Sequence, residues 1–324
     1  MILHALVTGG AGFIGSYLCE ELAKHGHEIS ILDNFSAGSR NNIQHLLDDG
    51  SGRIRFFVGD CTRASDLAKA LKNVDVVFHF AANPEVRLEL TDSKTCFRQN
   101  AYATYILLEA MRNDCPKKIV FASTSTVYGD AKVIPTPENY GPLEPISIYA
   151  ASKLSSEAMI MAYAHAYGFD ALILRFANVV GPRSQHGVIF DFVKKLRKNP
   201  RELEILGDGT QIKSYLYIDD CVSAILASFK PMQKRVEVLN VGSEDQVIVR
   251  EIAEIVVEEM KLKGVRSRFT GGIDGGRGWI GDVKNMLLDV TKLKAKGWKP
   301  KYNSRKAIRQ TVKAIVKDFP EVSQ

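Results

Sequence analysis

Apolar positions along the chain follow two spacings that alternate. Short runs of strand length, several of them rich in Val, Ile and Phe, recur at Ile2 to Val7, Glu28 to Leu32, Ile54 to Val58, Val74 to Phe80, Lys118 to Ala122 and Ala171 to Phe176. Val74 to Phe80 is apolar almost throughout, as a strand buried on both faces of a parallel sheet must be. Between the runs the spacing changes to one helical turn: Ile14, Leu18 and Leu22 predict a helix over Phe13 to His25. Further helices are predicted over Asp66 to Leu71, Thr95 to Asn113 and Tyr149 to Tyr167, the last stopped by Gly168. Strands alternating with helices over this span predict an α/β, doubly wound parallel sheet. Beyond Asn178 the rhythm loosens into helices at Val188 to Lys198, Asp220 to Phe229, Val249 to Leu262 and Ser304 to Lys317, with short strands at Leu203 to Leu206 and Ser214 to Ile218. Ser304 is the expected N-cap of the last helix, which carries Ala307, Ile308, Thr311, Val312 and Ile315 on one face.

A chain of 324 residues is long for one core. The expected organisation is therefore a Rossmann-type domain over residues 1–176 and a smaller α/β substrate lobe over 177–324, with about 236–242 returning to the main sheet.

The first strand runs into Thr8-Gly-Gly-Ala-Gly-Phe-Ile-Gly15 and then into a helix. Strand, glycine turn and helix in that order form the dinucleotide fingerprint: glycines permit the tight turn, let backbone approach a pyrophosphate and let helix pack closely on strand. The helix N-terminus offers unpaired N–H groups and a positive dipole end to the phosphates. The second strand ends in Asp33, 18 residues beyond Gly15, where a carboxylate accepts hydrogen bonds from a ribose 2′-hydroxyl; that favours NAD over NADP, whose 2′-phosphate would meet like charge. Asp60, at the end of the third strand, is placed for the adenine end of the cofactor, with an N-cap for the segment starting near Ser65 as the competing role. Ala81 and Ala82 end the fourth strand with small side chains that leave room for a ligand at the carboxyl edge of the sheet.

Composition narrows the picture without changing it. Apolar content of 45% and charged content of 25% are those of an ordinary globular protein. A strand beginning at residue 2, and no apolar run near the ~18 residues of a membrane helix, argue for a cytoplasmic protein with neither signal peptide nor membrane span. Five cysteines, an odd and unpatterned set, suit reduced thiols. Neither they nor the seven histidines show metal-ligand spacing, so no metal is expected. The formal charge of +6 is concentrated late, but no basic run is interleaved with aromatics. It is read as a lysine-rich solvated surface able to draw in a phosphorylated ligand, not as a nucleic-acid interface.

Three Tyr-x-x-x-Lys pairs occur, at 128/132, 149/153 and 302/306. Only Tyr149 and Lys153 share a predicted helix interior, which puts phenol and ammonium on one face a turn apart. Thr124, in the hydroxyl-rich end of the fifth strand, lies 25 residues upstream. A catalytic tyrosine needs its pKa drawn down from about 10 toward neutrality, and a nearby lysine together with the positive nicotinamide ring does so by favouring the phenolate.

These residues carry a resemblance to the extended short-chain dehydrogenase/reductases of the NAD-dependent epimerase/dehydratase family, and within it to the UDP-glucose (UDP-galactose) 4-epimerases. TGGAGFIG, Asp33-Asn34, Gly59-Asp60, FHFAA at 78–82, Asn100, STSTVYG at 123–129, Tyr149-x-x-x-Lys153 and RFANVVGPR at 175–183 fall in the family's order over nearly the whole chain. The resemblance implies NAD held by Gly9, Gly12, Phe13 and Ile14 at the pyrophosphate. It implies Asp33 and Asn34 at the adenosine ribose with Ser36 and Gly38 nearby, Asp60 and Cys61 at adenine, Phe80, Ala81, Ala82 and Asn100 along the cofactor, and Phe176 near the nicotinamide. It further implies that Tyr149 takes the proton of the sugar 4-hydroxyl while hydride passes to NAD, that Thr124 bonds that hydroxyl, and that Lys153 binds the nicotinamide ribose. The 4-keto sugar then turns and hydride returns to its other face. Asn178, Lys213 and Arg277 are implied at the substrate diphosphate, and a homodimer through the helices at 95–113 and 149–167.

Two departures matter. Dehydratases of the group follow the catalytic threonine with Asp and Glu, the acid and base that elimination needs; here Ser125 and Thr126 stand there, which points away from dehydration. The family's Arg-Asp after the Gly-Asp-Gly-Thr turn is Lys213-Ser214, a point charge in place of a bidentate fork. Met286 lies where the family tunes room for an N-acetyl group, and a flexible methionine leaves that choice open. The expected activity is 4-epimerisation of a UDP-hexose. The alternatives are epimerisation of a UDP-N-acetylhexosamine or UDP-uronate, a dehydratase, reductase or decarboxylase of the group, and a non-catalytic NAD-binding protein.

Overall fold

In a computed structural model, which describes residues 2–85, 92–113, 116–229 and 234–318, the first glycine turn emerges from the centre of a seven-stranded parallel sheet. Its strands are β1 (His4–Thr8), β2 (Glu28–Asp33), β3 (Ile54–Val58), β4 (Val76–His79), β5 (Lys118–Thr124), β6 (Asp170–Phe176) and β7 (Val236–Val241). They lie in the order β7-β6-β5-β4-β1-β2-β3. Because β1 has β2 on one side and β4 on the other, Leu6 faces Ser30 and Val77 in the two registers. The strand order reverses at β1, so its carboxyl end, Thr8-Gly9, is the crevice where ligands bind in open α/β sheets.

Contacts divide the chain into two units, each described by itself. The first comprises Met1–Val127, Ile148–Arg175 and Val222–Leu239; the second comprises Tyr128–Ser147, Phe176–Cys221 and Asn240–Gln324. The first unit's core packs Leu6, Val77, Ile119, Phe121 and Ile173 of the sheet against Leu107, Leu108 and Ile160 of the helices α2 (Ala103–Asn113) and α3 (Ile148–Tyr167). The second has its own core, in which Ile189, Phe192 and Leu196 from the helix Val188–Lys198 meet Ala307, Ile308, Val312 and Ile315 from the helix Ser304–Asp318. That is the face expected from sequence. The cap is not: Asn303 Oδ1 accepts from Lys306 N at 2.9 Å. The Ser304 hydroxyl instead donates to Asp245 and accepts from Tyr215 N.

The helix expected over 95–113 is interrupted. Ser93–Phe97 and α2 are α-helical, and Arg98–Tyr102 between them winds as a wider π-turn that contains Asn100. Such turns in helices mark functional sites often. Cys19, Cys61, Cys96 and Cys221 are buried thiols in no disulfide among the described residues, and Cys115 lies outside them. No described helix is long and apolar enough to cross a membrane.

Leu6 is fully buried between two neighbouring strands. Leu6→Ala removes its packing and leaves a cavity, and should cost about 2–5 kcal/mol. Urea unfolding checks this, and a cost under about 1 kcal/mol would contradict the central place of β1.

Candidate active site

Two glycines hold the turn after β1. Gly9 has φ +70°, and a Cβ there would stand 2.6 Å from the Ala81 amide nitrogen; one at Gly15 would stand 2.2 Å from the Gly9 carbonyl oxygen. Strand, turn and helix therefore pack backbone to backbone, as no side chain would allow. The helix α1 (Phe13–Lys24) starts from Gly12, which supplies no capping side chain, and its first turn carries no acidic residue. Its positive end is thus left to an external anion, which fits a dinucleotide pyrophosphate. Phe13 and Ile14 are half-buried at this end.

Asp33 closes β2 and accepts from Ala11 N at 3.0 Å and Phe35 N at 2.7 Å. Burial pushes its carboxyl pKa up, and those two amide bonds oppose the shift. The carboxylate expected to bind ribose therefore also braces the glycine turn, a role that spacing alone does not reveal. Gly38 lies against the same turn: a Cβ there would be 2.8 Å from the Ala11 carbonyl carbon. Asn34 donates to Asp60 at 3.1 Å and accepts from Ser36 N at 2.9 Å. Asp60 caps no helix. It accepts from Thr62 N at 2.8 Å, and the helix Ala64–Ala70 begins from Arg63 without a side-chain cap. Cys61 is buried and its thiol is pushed up to about 12, chiefly by desolvation. Phe80, Ala81 and Ala82 are half-buried just past β4.

The polar groups beneath this edge join up. His79 is hydrogen-bonded by Thr8 at 2.8 Å and Thr104 at 3.0 Å, and burial drives its imidazole down to about 3, so it is neutral. Thr104 donates to the Asn100 carbonyl at 2.8 Å. Asn100 Nδ2 donates to Ser152 Oγ at 2.9 Å, and Asn100 Oδ1 accepts from Asn83 N at 2.8 Å. The amide side chain in the π-turn thus ties the loop after β4 to α3.

Thr124, Tyr149 and Lys153 come together where β5 meets α3. The Thr124 hydroxyl hydrogen-bonds the Tyr149 phenol. Lys153 Nζ donates to the Ala122 carbonyl at 2.9 Å and sits 4.9 Å from the centre of the Phe121 ring. Its pKa is pushed down to about 8, first by burial, while charge at Cys96 and Glu157 opposes the shift. Tyr149 differs from the sequence expectation. Desolvation pushes its phenol above the usual range, charge at Cys96 adds to this, and only the Thr124 bond pulls it back. The Lys153 ammonium is directed at the Ala122 carbonyl.

Glu157, one turn beyond Lys153, is fully buried with Arg175 of β6 and Ser123 of β5. Arg175 Nη2 donates to its Oε2 at 2.6 Å and the Ser123 hydroxyl donates to its Oε1. None of the three was expected at a site. The signal available was Arg175 itself, a charge inside the apolar run Ala171 to Phe176, which cannot be buried without a partner.

The remaining expected residues belong to the second unit. Phe176 is buried. Asn178 Nδ2 donates to the Ser214 carbonyl at 3.1 Å. Lys213 Nζ lies 2.5 Å from Asp282 Oδ1 and 5.4 Å from the centre of the Trp279 ring. Arg277 donates to the Asp282 carbonyl and forms a two-pronged pair with Asp130 at 3.1 and 2.8 Å. Asp282 therefore gathers both cations, neither of which is without a carboxylate.

Comparison with known proteins agrees with this geometry. The model of the NAD dependent epimerase/dehydratase family matches residues 5–242. A crystal structure of a UDP-galactose 4-epimerase is 44% identical, with a TM-score of 0.86 over 98% of this chain and 99% of that one. The UDP-glucuronic acid 4-epimerase of Bacillus cereus, solved with UDP-glucuronic acid and NAD, is 30% identical, with a TM-score of 0.87 over 98% of this chain and all of that one. A UDP-N-acetyl-alpha-D-glucosaminuronate decarboxylase of Bacillus cytotoxicus is 33% identical over 304 residues, 90% of each chain.

Gly9→Ala would place a methyl group into the Phe80–Ala81 backbone just past β4, at a left-handed φ. It should weaken NAD binding at least tenfold by titration calorimetry, and an unchanged affinity would show that the turn does not hold the cofactor.

Proposed function

The chain belongs to the NAD-dependent epimerase/dehydratase family of nucleotide-sugar enzymes, and from that premise we propose that it interconverts a UDP-hexose at C4, UDP-glucose with UDP-galactose. The observation that carries this reading is the hydrogen bond between Thr124 and Tyr149 with Lys153 one turn along the same helix. A phenol so placed has a hydroxyl partner through which a proton can be exchanged, and a cation close by. The acid and base that elimination requires are replaced by Ser125 and Thr126, which supports epimerisation over dehydration.

NAD, when bound, would supply a hydride acceptor and donor at C4, so that the cycle would have no net redox change. The residues of the chain manage the proton and the position. Tyr149 takes the O4 proton as the carbinol becomes a ketone and gives it back as the carbinol re-forms. Thr124 orients that oxygen. Lys153, a cation below about pH 8, holds the ribose hydroxyls and favours the phenolate. Gly9, Gly12, Phe13, Ile14, Asp33 and Asn34 hold the dinucleotide, while Asn178, Lys213 and Arg277 hold the substrate diphosphate, which stays bound as the sugar turns. UDP-uronates are the second substrate class, since the Bacillus cereus protein of the same fold is solved with UDP-glucuronic acid.

We further propose a homodimer through the helical segment 95–113 and α3. Along α3 Ala158, Ala162 and His165 are exposed and Met161 half-buried, while Ser156, Glu157, Ile160 and Ala164 face the interior. Met161 also packs against the unit's own core, whereas Ala158 and Ala162 leave their methyl groups exposed for a partner.

Purified protein given UDP-galactose should form UDP-glucose without added reductant, and Tyr149→Phe should lower kcat about 10²–10⁴-fold. Failure across UDP-hexoses, their N-acetyl forms and UDP-uronates, read by chromatography, would end the epimerase reading. Sedimentation at micromolar concentration should give twice the chain mass, and a monomer would refute the dimer.

A further inference from the structure

The end of β5 is fastened to α3 at three successive residues: Ala122 through its carbonyl to Lys153, Ser123 through its hydroxyl to Glu157, and Thr124 to Tyr149. The outer two are the contacts of the reaction proposed above. The middle one belongs to a buried ion pair that the reaction does not touch. Glu157 is 0% exposed and Arg175 3%. Arg175 Nε lies 3.0 and 3.2 Å from the two carboxylate oxygens, and its Nη2 lies 2.6 Å from Oε2.

A pair taken so fully out of water has lost hydration that its mutual attraction often fails to repay, and apolar residues of similar volume serve stability as well or better. Its presence here calls for a reason other than stability, and its neighbours supply one. Glu157 follows Lys153 by four residues, so the two share a helix face, and its other oxygen is bonded to the residue before Thr124.

We propose that the Glu157–Arg175 pair, acting through Ser123 and along the helix face it shares with Lys153, is the positioning device of the catalytic site, setting Thr124 against Tyr149. This rests on the epimerase reading only for its kinetic readout. Arg175 orients the carboxylate by a two-nitrogen grip, and the carboxylate in turn faces the lysine along the helix. The groups facing Lys153 are Cys96 from the helix Ser93–Phe97, His79 from β4, and Tyr149 and Glu157 from α3, with Arg175 of β6 behind Glu157. His79 is neutral, so Glu157 is the carboxylate among them. Charge at Glu157 and at Cys96 acts to raise the lysine pKa against burial. Loss of Glu157 would therefore leave a smaller fraction of the ammonium charged at neutral pH.

The test is made on the NAD-loaded full chain. Replacing both partners, Glu157→Met with Arg175→Met, removes the charges without leaving either one orphaned. The folded double variant should keep KM for UDP-galactose within about twofold, lose at least tenfold in kcat at pH 8, and show the alkaline limb of kcat moved acidward by about one pH unit. The Lys153 side-chain NMR signal, identified by its loss in Lys153→Met, should titrate with the same displacement. A folded double variant with the wild-type kcat, pH profile and lysine midpoint would overturn the proposal. Should the double variant not fold, Ser123→Ala cuts only the link to Thr124: it should lower kcat several-fold with KM and melting temperature unchanged, and an unchanged kcat refutes the positioning role. If the wild type turns over no UDP-hexose, N-acetyl form or UDP-uronate, the epimerase reading fails, while the lysine titration in the same variants still decides this proposal.

Discussion

The structure depends most on how the last residues of one buried strand meet one face of one helix. Successive strand residues point to opposite sides of a sheet, so three in a row cannot all reach a helix by side chain in the same way. Here Ala122 uses its backbone oxygen, and the hydroxyls of Ser123 and Thr124 act as the strand gives way to the short 3-10 turn Ser125–Tyr128. A shift of one residue in either element would turn these groups to the wrong side and leave Lys153 or Glu157 buried without its partner. Because an unpaired buried charge is far more costly than a lost contact, the register of α3 on β5 is set by electrostatics as much as by packing. The same register aims Tyr149.

On the other side of β4 the constraint is steric. The glycine turn lies so close to the end of β4 that Gly9 and Ala81 nearly touch through backbone alone. That closeness leaves the first turn of α1 open to an anion, and Asp33 stiffens it by holding the Ala11 amide. Beneath the turn runs a neutral chain of hydrogen bonds, Thr8 to His79 to Thr104 to Asn100 and on to Ser152. The dinucleotide cradle and the helix that carries the tyrosine are thereby held in one polar framework with no net charge of its own. This suits a site in which the charges that matter are those of Lys153, Tyr149 and the cofactor.

The second unit handles charge differently. Lys213 and Arg277 are both drawn to Asp282, and Arg277 is also gripped by Asp130. A diphosphate arriving there would meet cations already partnered by carboxylates, so its binding would be an exchange of partners. Lysine in place of arginine at 213 gives a compact charge that can turn from Asp282 to a phosphate more readily than a planar fork.

The sequence alone determined what depends on local order. The strand–glycine–helix segment was legible because its glycines are demanded by neighbours within the same turn, and the parallel sheet because strand-length apolar runs such as Val74 to Phe80 alternate with helical spacing. Helical spacing paired Tyr149 with Lys153, and the family motifs added the roles of both and of Thr124. Only the tertiary structure could decide the rest. The π-turn at Asn100 depends on a contact with Ser152, 52 residues away. The burial of Glu157 and Arg175 needs β5, α3 and β6 together, and the pKa of Tyr149 and Lys153 is governed by how much water those elements exclude. Periodicity reports which face of an element is apolar. It carries no information on which buried polar groups find one another, because those partners are brought together by packing between segments far apart in the chain.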